Sequence, residues 1–348
     1  MREFFHGVSP QRIAKNFWKE FEGNLFIKRF PQETMTKTAY IFPGQGSQYV
    51  GMSRSFYDGF PAAKEAFDEA DEVLGFDLKK IVFEGPKEEL DRTEFTQPAL
   101  LVASIAALRV LRESFGVRPA ALAGHSLGEY TALVAAGALD YSEAVRIVHL
   151  RGRYMQEAVP EGTGMMCAIL GLDVSVITEI CKTSSVEGSV VVPANINSPQ
   201  QVVISGHKDA VTRAGELARE EGAKRVVPLQ VSAPSHSPLM TKAGERLGRE
   251  LEKVAFDGFS TPVITNVDAE PIKDASEVAD ALVRQLTSPV LWVDIVKRMK
   301  KDGIATVVEI GPGKVLTGLI KRIDKELTTL NLDEAGHLDS VLETLKGG

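Results

Sequence analysis

The sequence is poor in cysteine, tryptophan and histidine. Its 348 residues include two cysteines, two tryptophans and six histidines. Cys167 and Cys181 lack the spacing of metal ligands, and two cysteines are too few for a disulfide framework. We therefore expect a protein of the reducing cytoplasm. The histidines form no paired metal-binding motif, so we expect no metal; they stand at positions 6, 125, 149, 207, 236 and 337.

The sequence also lacks an excess of positive charge and a long apolar run. A formal net charge of -7 argues against general nucleic-acid binding, which requires clustered Lys and Arg. No apolar run approaches the roughly 20 residues needed to cross a bilayer, so we expect no membrane association. With 44% hydrophobic and 25% charged residues, the composition is typical of a globular protein. The length is sufficient for two structural units.

The first 34 residues lack the pattern of a packed domain, which begins only at Met35. The segment has no uninterrupted apolar stretch of the kind found in a secretory signal, and its four acids argue against a transit peptide. These acids are Glu3, Glu20, Glu22 and Glu33. We expect Met35 to be the functional start and residues 1–34 to be an extension outside the native protein.

Strands alternate with helices in the two outer parts of the remaining sequence. Strands are predicted at 38–42, 120–123, 262–267 and 305–313, and helices at 61–74, 98–115, 276–287, 290–301 and 314–325. This alternation predicts an α/β fold with a parallel sheet. We assign 35–160 and 232–325 to one large domain and 326–348 to a C-terminal tail.

The middle of the sequence, 161–231, has a different order of elements. Its pattern is β-α-β-β-α-β, with strands at 164–170, 189–194, 201–205 and 224–231 and helices at 173–183 and 208–221. That order is typical of a ferredoxin-like unit. We expect a small domain inserted into the large one, with a cleft between them.

The stretch "AGHSLGEY" places Ser126 between Gly124 and Gly128, after a predicted strand and before a predicted helix. This arrangement is typical of a nucleophilic serine on a sharp turn, although a serine that only caps the helix fits the same letters. The backbone N–H of Leu127 would face an oxyanion at the helix N-terminus. Gln45, on the glycine-rich loop "PGQGS", is a candidate for the second N–H donor.

A serine nucleophile needs a base, and His236 is the favoured candidate. It stands in "SAPSHSPLM", where two prolines hold a loop at the exit from the predicted small domain. Position alone leaves open an ordinary loop histidine. No Asp or Glu precedes His236 in a place suited to a third catalytic member.

Seven phrases, in order, closely resemble the bacterial malonyl-CoA:acyl carrier protein transacylases. They are "FPGQGSQYVGM", "GHSLGEY", "RGRYMQEAVPEGTG", "NINSPQQVVISG", "PSHSPLM", "ALVRQL" and "EIGPGKVLTGL". The resemblance runs from about Met35 to Arg322. It implies an α/β-hydrolase-like large domain with a ferredoxin-like insertion. It also implies that the backbone carbonyl of Gln285 orients His236, so that no triad acid is needed.

The resemblance assigns Arg151 to the free carboxylate of a malonyl group. A guanidinium can hold a carboxylate through two parallel hydrogen bonds, although the helix pattern alone would make Arg151 a surface charge. The resemblance also implies cleft-lining roles for Asn195, Asn197 and Gln201, which could otherwise form turns around Pro199. Met155 resembles an acyl-pocket residue, and a core methionine is the alternative.

The implied reaction is a two-step exchange without a cofactor. Ser126 takes malonyl from malonyl-CoA, and the pantetheine thiol of holo acyl carrier protein then removes it, in a monomeric enzyme of fatty acid synthesis. A basic patch at 297–301, or at Lys314, Lys321 and Arg322, could meet an acidic carrier. Three alternatives stay open: a serine hydrolase such as a thioesterase, a silent acyl-CoA or carrier-binding module, and an acyltransferase of polyketide synthesis.

Overall fold

The computed structural model describes residues 37–116, 118–160, 162–229, 233–272 and 274–347. This part of the chain is a mixed α/β protein with two separate sheets, one parallel and one antiparallel. The predicted extension, 1–34, lies outside the described residues.

The parallel sheet has five strands in the order β7-β2-β1-β8-β9. They are β1 (Thr38–Phe42), β2 (Ala121–Gly124), β7 (Val263–Ile264), β8 (Thr306–Ile310) and β9 (Thr328–Leu332). The pairing of Phe42 with Gly124 aligns the carboxyl ends of the two central strands. The loops that follow β1 and β2 therefore leave the sheet side by side, where ligands bind in parallel α/β sheets.

Helices follow each strand of this sheet. The helices that precede the antiparallel sheet in the chain are α1 (Arg54–Gly59), α2 (Pro61–Leu74), α3 (Leu78–Glu84), α4 (Lys87–Leu90), α5 (Thr93–Ser114), α6 (Gly128–Ala136) and α7 (Tyr141–Glu157). Helix α2 begins at a proline and ends before Gly75, whose φ of 73° suits the left-handed turn there. Asp140 caps α7 by accepting from the backbone N–H of Glu143 at 3.1 Å.

Helix α5 has the length and apolar composition of a membrane span. Its most apolar 18-residue stretch has a mean hydropathy of 1.3, and 83% of that stretch is buried inside the protein. It begins five residues before the predicted start, and Pro98 lies inside it. Because Pro98 has no N–H, the carbonyl of Glu94 loses its helical donor. The Nδ1 of His149 occupies that place at 3.0 Å, which allows the helix to pass through the proline.

The antiparallel sheet has four strands in the order β4-β5-β3-β6. They are β3 (Gly164–Leu170), β4 (Val191–Ser198), β5 (Gln201–His207) and β6 (Arg225–Pro228), with helices α8 (Val174–Ser184) and α9 (Lys208–Glu220) between them. Apolar side chains of both helices and of the sheet share one buried cluster, which includes Ile169, Ile177 and Val211. The predicted β-α-β-β-α-β order is present.

Strand β4 of the antiparallel sheet is hydrogen bonded to the backbone of Val290, a residue outside both sheets. The N–H of Ile196 donates to the carbonyl of Val290 at 2.9 Å, and the N–H of Val290 donates to the carbonyl of Ala194 at the same distance. Strand β4 is thereby held against the segment that precedes the next helix. This contact fixes where β4 side chains lie relative to the end of the parallel sheet.

The rest of the chain completes the parallel sheet. Its helices are α10 (Thr241–Leu251), α11 (Val278–Gln285), α12 (Trp292–Lys301), α13 (Val315–Ile323) and α14 (Leu338–Gly347), with 3-10 turns at Pro238–Met240, Ala275–Glu277 and Ala335–His337. The segment 326–348, expected as a tail, contains the edge strand β9 and helix α14. Strand β9 pairs in parallel with β8 over its whole length.

Candidate active site

Ser126 lies on the tight turn between β2 and α6, with a φ of +52°. That left-handed backbone is strained for a residue with a Cβ atom. The turn is possible because glycines stand two residues before and two residues after Ser126. A Cβ on Gly124 would lie 1.9 Å from the carbonyl of Gly128, and one on Gly128 would lie 2.1 Å from the carbonyl oxygen of Phe42. The sequence thus forms a sharp turn that presents the serine hydroxyl.

The imidazole of His236 reaches this hydroxyl, with Nε2 at 2.9 Å from Oγ of Ser126. Its Nδ1 lies 2.7 Å from the backbone carbonyl oxygen of Gln285. Because a carbonyl can only accept, Nδ1 carries the proton and the Nε2 lone pair faces the serine. The structure therefore places Ser126, His236 and Gln285 in the geometry of a nucleophile, its base and the group that orients the base.

His236 is 2% exposed. Burial, followed by the nearby charge of Arg151, lowers the pKa of His236 to about 3. Three other histidines are bonded elsewhere: Nε2 of His125 lies 2.8 Å from Oδ1 of Asn197, Nδ1 of His207 accepts from Val190, and Nδ1 of His149 contacts the Glu94 carbonyl. The geometry thus favours His236 over these candidates.

Arg151 is buried, with 1% exposure, rather than on the surface of α7 as its helix pattern alone suggests. The next residue explains this: a Cβ on Gly152 would lie 2.5 Å from the carbonyl oxygen of Thr93, so α7 and α5 approach closely at this point. Arg151 Nη2 donates to Ser126 Oγ at 3.1 Å. A cation therefore lies directly beside the nucleophile.

Two glutamine side chains hold the guanidinium. Nη1 donates to Gln97 Oε1 at 2.8 Å, and Nη2 donates to Gln285 Oε1 at 2.9 Å. No described residue accepts from the buried Nε–H of Arg151 with regular hydrogen-bond geometry, although the Tyr130 hydroxyl interacts with the guanidinium. A buried cationic donor without an acceptor is costly unless a ligand completes it, and an anionic group beside Ser126 would do so.

The two expected oxyanion donors lie on two loops that pack against each other. Leu127 directly precedes the first residue of α6, where helical N–H groups lack intrahelical partners. Gln45 follows Gly44, whose added Cβ would lie 2.3 Å from the carbonyl oxygen of His125. This close approach brings the loop after β1 against the serine turn. The N–H of Ser126 itself is occupied, because it donates to Asn266 Oδ1 at 2.6 Å.

The residues expected to line the cleft lie in different places. Asn197 reaches the serine turn through His125, and Asn195 is a buried residue of β4 that bridges to Val290. Met155 contacts Gln97, whose Nε2 is 3.3 Å from the methionine sulfur. Gln201 lies farther out, where its Oε1 accepts from Arg322 at 2.6 Å in an exposed pair.

Two polar residues of the site were not found from the sequence. Asn266 follows β7, and its Nδ2 donates to the carbonyl of Gly124 at 2.6 Å. Glu129 is 2% exposed in the first turn of α6, and its Oε2 accepts from Gln285 Nε2 at 2.8 Å and from the N–H of Asn266 at 3.0 Å. Burial raises the pKa of Glu129 to about 7, while these hydrogen bonds and Arg151 limit the rise.

The fold and this site define the chain as an acyl transferase, because residues 39–336 match the family model described as an acyl transferase domain. Over 309 residues, 89% of this chain and all of the relative, it is 51% identical to the malonyl CoA-acyl carrier protein transacylase of Escherichia coli K12. The chain belongs to the family of bacterial malonyl CoA-acyl carrier protein transacylases.

Solved structures agree with this assignment. The transacylase of Coxiella burnetii superposes with a TM-score of 0.88 at 46% identity, covering 89% of this chain and 98% of that one. A malonyl-transacylase solved in complex with a type II polyketide acyl-carrier protein superposes with a TM-score of 0.87 at 48% identity, covering 89% of this chain and all of that one. The expected family is therefore confirmed.

Proposed function

We propose that this protein transfers the malonyl group of malonyl-CoA to the pantetheine thiol of holo acyl carrier protein through a malonyl ester on Ser126. The observation that carries the proposal is the position of Arg151. Its Nη2 lies 3.1 Å from the nucleophilic oxygen, and no described residue accepts from its buried Nε–H with regular hydrogen-bond geometry. A malonyl group on Ser126 ends in a carboxylate only two carbons beyond the ester carbonyl, within reach of this guanidinium.

In the first half-reaction, Ser126 Oγ attacks the thioester carbonyl carbon and gives its proton to Nε2 of His236. The N–H groups of Leu127 and Gln45 stabilise the resulting oxyanion. The carbon–sulfur bond breaks, and CoA leaves as the thiol after taking the proton from His236. The product of this half-reaction is malonyl-Ser126.

In the second half-reaction, the carrier thiol gives its proton to His236 and its sulfur attacks the ester carbonyl. The bond between carbon and Ser126 Oγ breaks, and the serine regains the proton from His236. The backbone carbonyl of Gln285 keeps the imidazole in the same tautomer throughout. Atoms and charges balance over the cycle without a redox step.

Arg151 also links substrate choice to the strength of the base. Its positive charge is the second cause, after burial, of the low His236 pKa. A bound carboxylate offsets that charge, so His236 becomes more basic when the acyl group is malonyl. An acetyl group has no carboxylate and provides neither the ion pair nor this offset.

We further propose an α/β-hydrolase-like large domain, 35–160 and 232–325, with a ferredoxin-like small domain at 161–231. The strand order β4-β5-β3-β6 and the two helices on one face support the second assignment. Because β9 extends the parallel sheet, we add residues 326–348 to the large domain. Asn195 and Asn197 then face the site from the small domain.

For the carrier, we propose a docking surface at Lys314, Lys321 and Arg322, which are exposed around α13. The alternative patch at 297–301 is less suited, because three of its four bases are already paired. Lys297 contacts Asp294, and Lys300 contacts Glu326. We propose that the enzyme acts as a cytoplasmic monomer in fatty acid synthesis; a polyketide carrier is the alternative acceptor.

CoA release with and without holo acyl carrier protein tests the function. A transferase releases about one equivalent of CoA without the carrier and turns over continuously only when it is present. Ser126→Ala is the matched control and should release none. Continuous release to water without carrier would make the protein a hydrolase and refute the proposal.

A further inference from the structure

The side-chain amide of Gln285 connects the guanidinium of Arg151 to the carboxyl group of Glu129. Its Oε1 accepts from Arg151 Nη2 at 2.9 Å, and its Nε2 donates to Glu129 Oε2 at 2.8 Å. Nε2 also donates to the backbone carbonyl of Ser126 at 3.0 Å. A half-turn of the amide would direct its NH2 at the guanidinium, donor against donor. The orientation of this amide therefore decides whether Arg151 Nη2 has an acceptor in addition to Ser126 Oγ.

Two acceptors hold that orientation, the backbone carbonyl of Ser126 and Oε2 of Glu129, and the shorter hydrogen bond is the one to Glu129. The Oε2 atom accepts a hydrogen bond and attracts Nε2 of Gln285, so Oε1 of the amide is left facing Arg151. The same Oε2 accepts from the backbone N–H of Asn266 at 3.0 Å. Asn266 in turn clamps the serine turn, with Oδ1 at 2.6 Å from the N–H of Ser126 and Nδ2 at 2.6 Å from the carbonyl oxygen of Gly124.

We propose that Glu129 is a positioning residue for substrate choice: through the amide of Gln285 it sets Arg151 to accept a carboxylate-bearing acyl group. The inference rests on the proposed function and deepens it. Glu129 does not touch the acyl group itself. Its acceptor oxygen is what the network requires, and a carboxamide oxygen at the same place can accept the same two hydrogen bonds.

A second buried glutamate provides a comparison within the same protein. Glu309 on β8 accepts from the N–H groups of Leu316 and Thr317 and from the Thr317 hydroxyl, at 2.6 to 3.0 Å. It stabilises the start of α13 and does not bond to Gln285 or Arg151. Loss of Glu309 therefore affects stability without affecting the amide beside the guanidinium.

The test measures the rate of Ser126 acylation by malonyl-CoA relative to that by acetyl-CoA, followed by intact mass. The variants are Glu129→Leu, Glu129→Gln and the control Glu309→Gln. We expect Glu129→Leu to lower the malonyl preference by at least about tenfold, the cost of one charge-assisted hydrogen bond. Glu129→Gln should stay within about threefold of wild type, because it keeps the acceptor. Glu309→Gln should keep the wild-type ratio.

Gln285→Leu is the second variant, and it decides the matter if Glu129→Leu does not fold. It removes the amide but keeps the backbone carbonyl that orients His236. We expect the same loss of malonyl preference as in Glu129→Leu. The double variant should show no further loss, because both changes break the same chain of hydrogen bonds from Glu129 through Gln285 to Arg151.

An unchanged ratio in folded Glu129→Leu or Gln285→Leu would overturn the inference, as would a lost preference in Glu129→Gln or Glu309→Gln. The wild-type measurement separates this inference from the proposed function. If wild type forms no malonyl adduct, the proposed function itself fails. If wild type prefers malonyl and Glu129→Leu does too, only the role of Glu129 is refuted.

Discussion

His236 and Ser126 are joined by a 2.9 Å contact between Nε2 and Oγ, and both residues have a left-handed backbone, with φ of +58° and +52°. Neither is a glycine, so each turn stores strain that the surrounding structure must offset. The hydrogen bonds from Ser126 N–H to Asn266 and from Gln285 to the Ser126 carbonyl supply part of that restraint. The contact that carries the proposed chemistry is thus built on two unfavourable backbone conformations.

The strain at Ser126 predicts an unusual order of stability for two inactive variants. Ser126→Gly and Ser126→Ala both lose the hydroxyl, and they differ only in the Cβ atom. Because glycine tolerates positive φ, the glycine variant should be about 1 kcal/mol more stable. Urea unfolding of the two variants checks this. An alanine variant of equal or greater stability would show that the turn is not strained.

Removal of Arg151 should abolish the preference for malonyl. We expect Arg151→Ala to reduce malonyl acylation of Ser126 by about 100-fold, since charge-assisted hydrogen bonds contribute about 1.5–3 kcal/mol each, and to reduce acetyl acylation far less. Arg153→Ala is the matched control: Arg153 lies on the same helix, 45% exposed, 3.7 Å from Glu157. The control should change the rate by less than about threefold. Equal labelling of wild type by both acyl groups would refute the role of Arg151.

The rate of Ser126 acylation should begin to fall in acid only at a pH far below the usual pKa of a histidine. The pKa of His236 is lowered to about 3, so the base stays neutral as the pH falls from 8 to 5. Glu129 also titrates near pH 7, so the profile is measured in Glu129→Gln, where only His236 of the pair can titrate. Since kcat/KM reports the free enzyme, the rate of Ser126 acylation by malonyl-CoA in this variant should stay flat over that range. An inflection near 6.5 in the variant would show that His236 titrates as an exposed histidine and would contradict its burial.

Glu129 should make the protein less stable as the pH rises. Its pKa is raised to about 7 in the folded state, from 4.5, so the folded state holds its proton longer than the unfolded state. Stability from this group is complete below pH 4.5 and is lost as the pH rises through 7. The free energy of unfolding of Glu129→Gln, relative to that of wild type, should therefore be about 3 kcal/mol higher at pH 8 than at pH 4.5.

Unfolding by urea at several pH values measures this difference. Glu187→Gln is the control, because Glu187 is exposed on a turn of the small sheet and its substitution removes only a solvated charge. The control should follow the wild-type pH dependence. A parallel pH dependence for wild type and Glu129→Gln would mean that Glu129 is not protonated on folding.

Much of the fold was predictable, because buried strands and amphipathic helices have strong local patterns. Strand β1 has its predicted bounds, since five apolar or β-branched residues end at a proline. Strand β9 was missed because this edge strand is only partly buried and carries Asn331 among its apolar residues. The start of α5 was misplaced because Pro98 resembles a helix start, and no local pattern indicates that His149 replaces its missing N–H.

The site residues could be predicted where a local sequence pattern indicates a single chemical role. Ser126 follows from its flanking glycines, and the loop position of His236 favours it as the base. The roles of Gln285 and Arg151 needed the family resemblance, because their neighbours in space are distant in sequence. Glu129 and Asn266 were missed for the same reason: their contacts join residues 137 positions apart. One local signal existed, since Asn266 is a polar residue at the carboxyl end of a strand beside β2.

The most direct test follows one malonyl group by intact mass. Malonyl-CoA should add a single malonyl group to the protein, on the peptide that contains Ser126, and holo acyl carrier protein should then remove it and gain the same mass. Ser126→Ala should give no adduct. An adduct that is lost to water but never transferred to the carrier, or one that forms on another residue, would contradict transfer through Ser126.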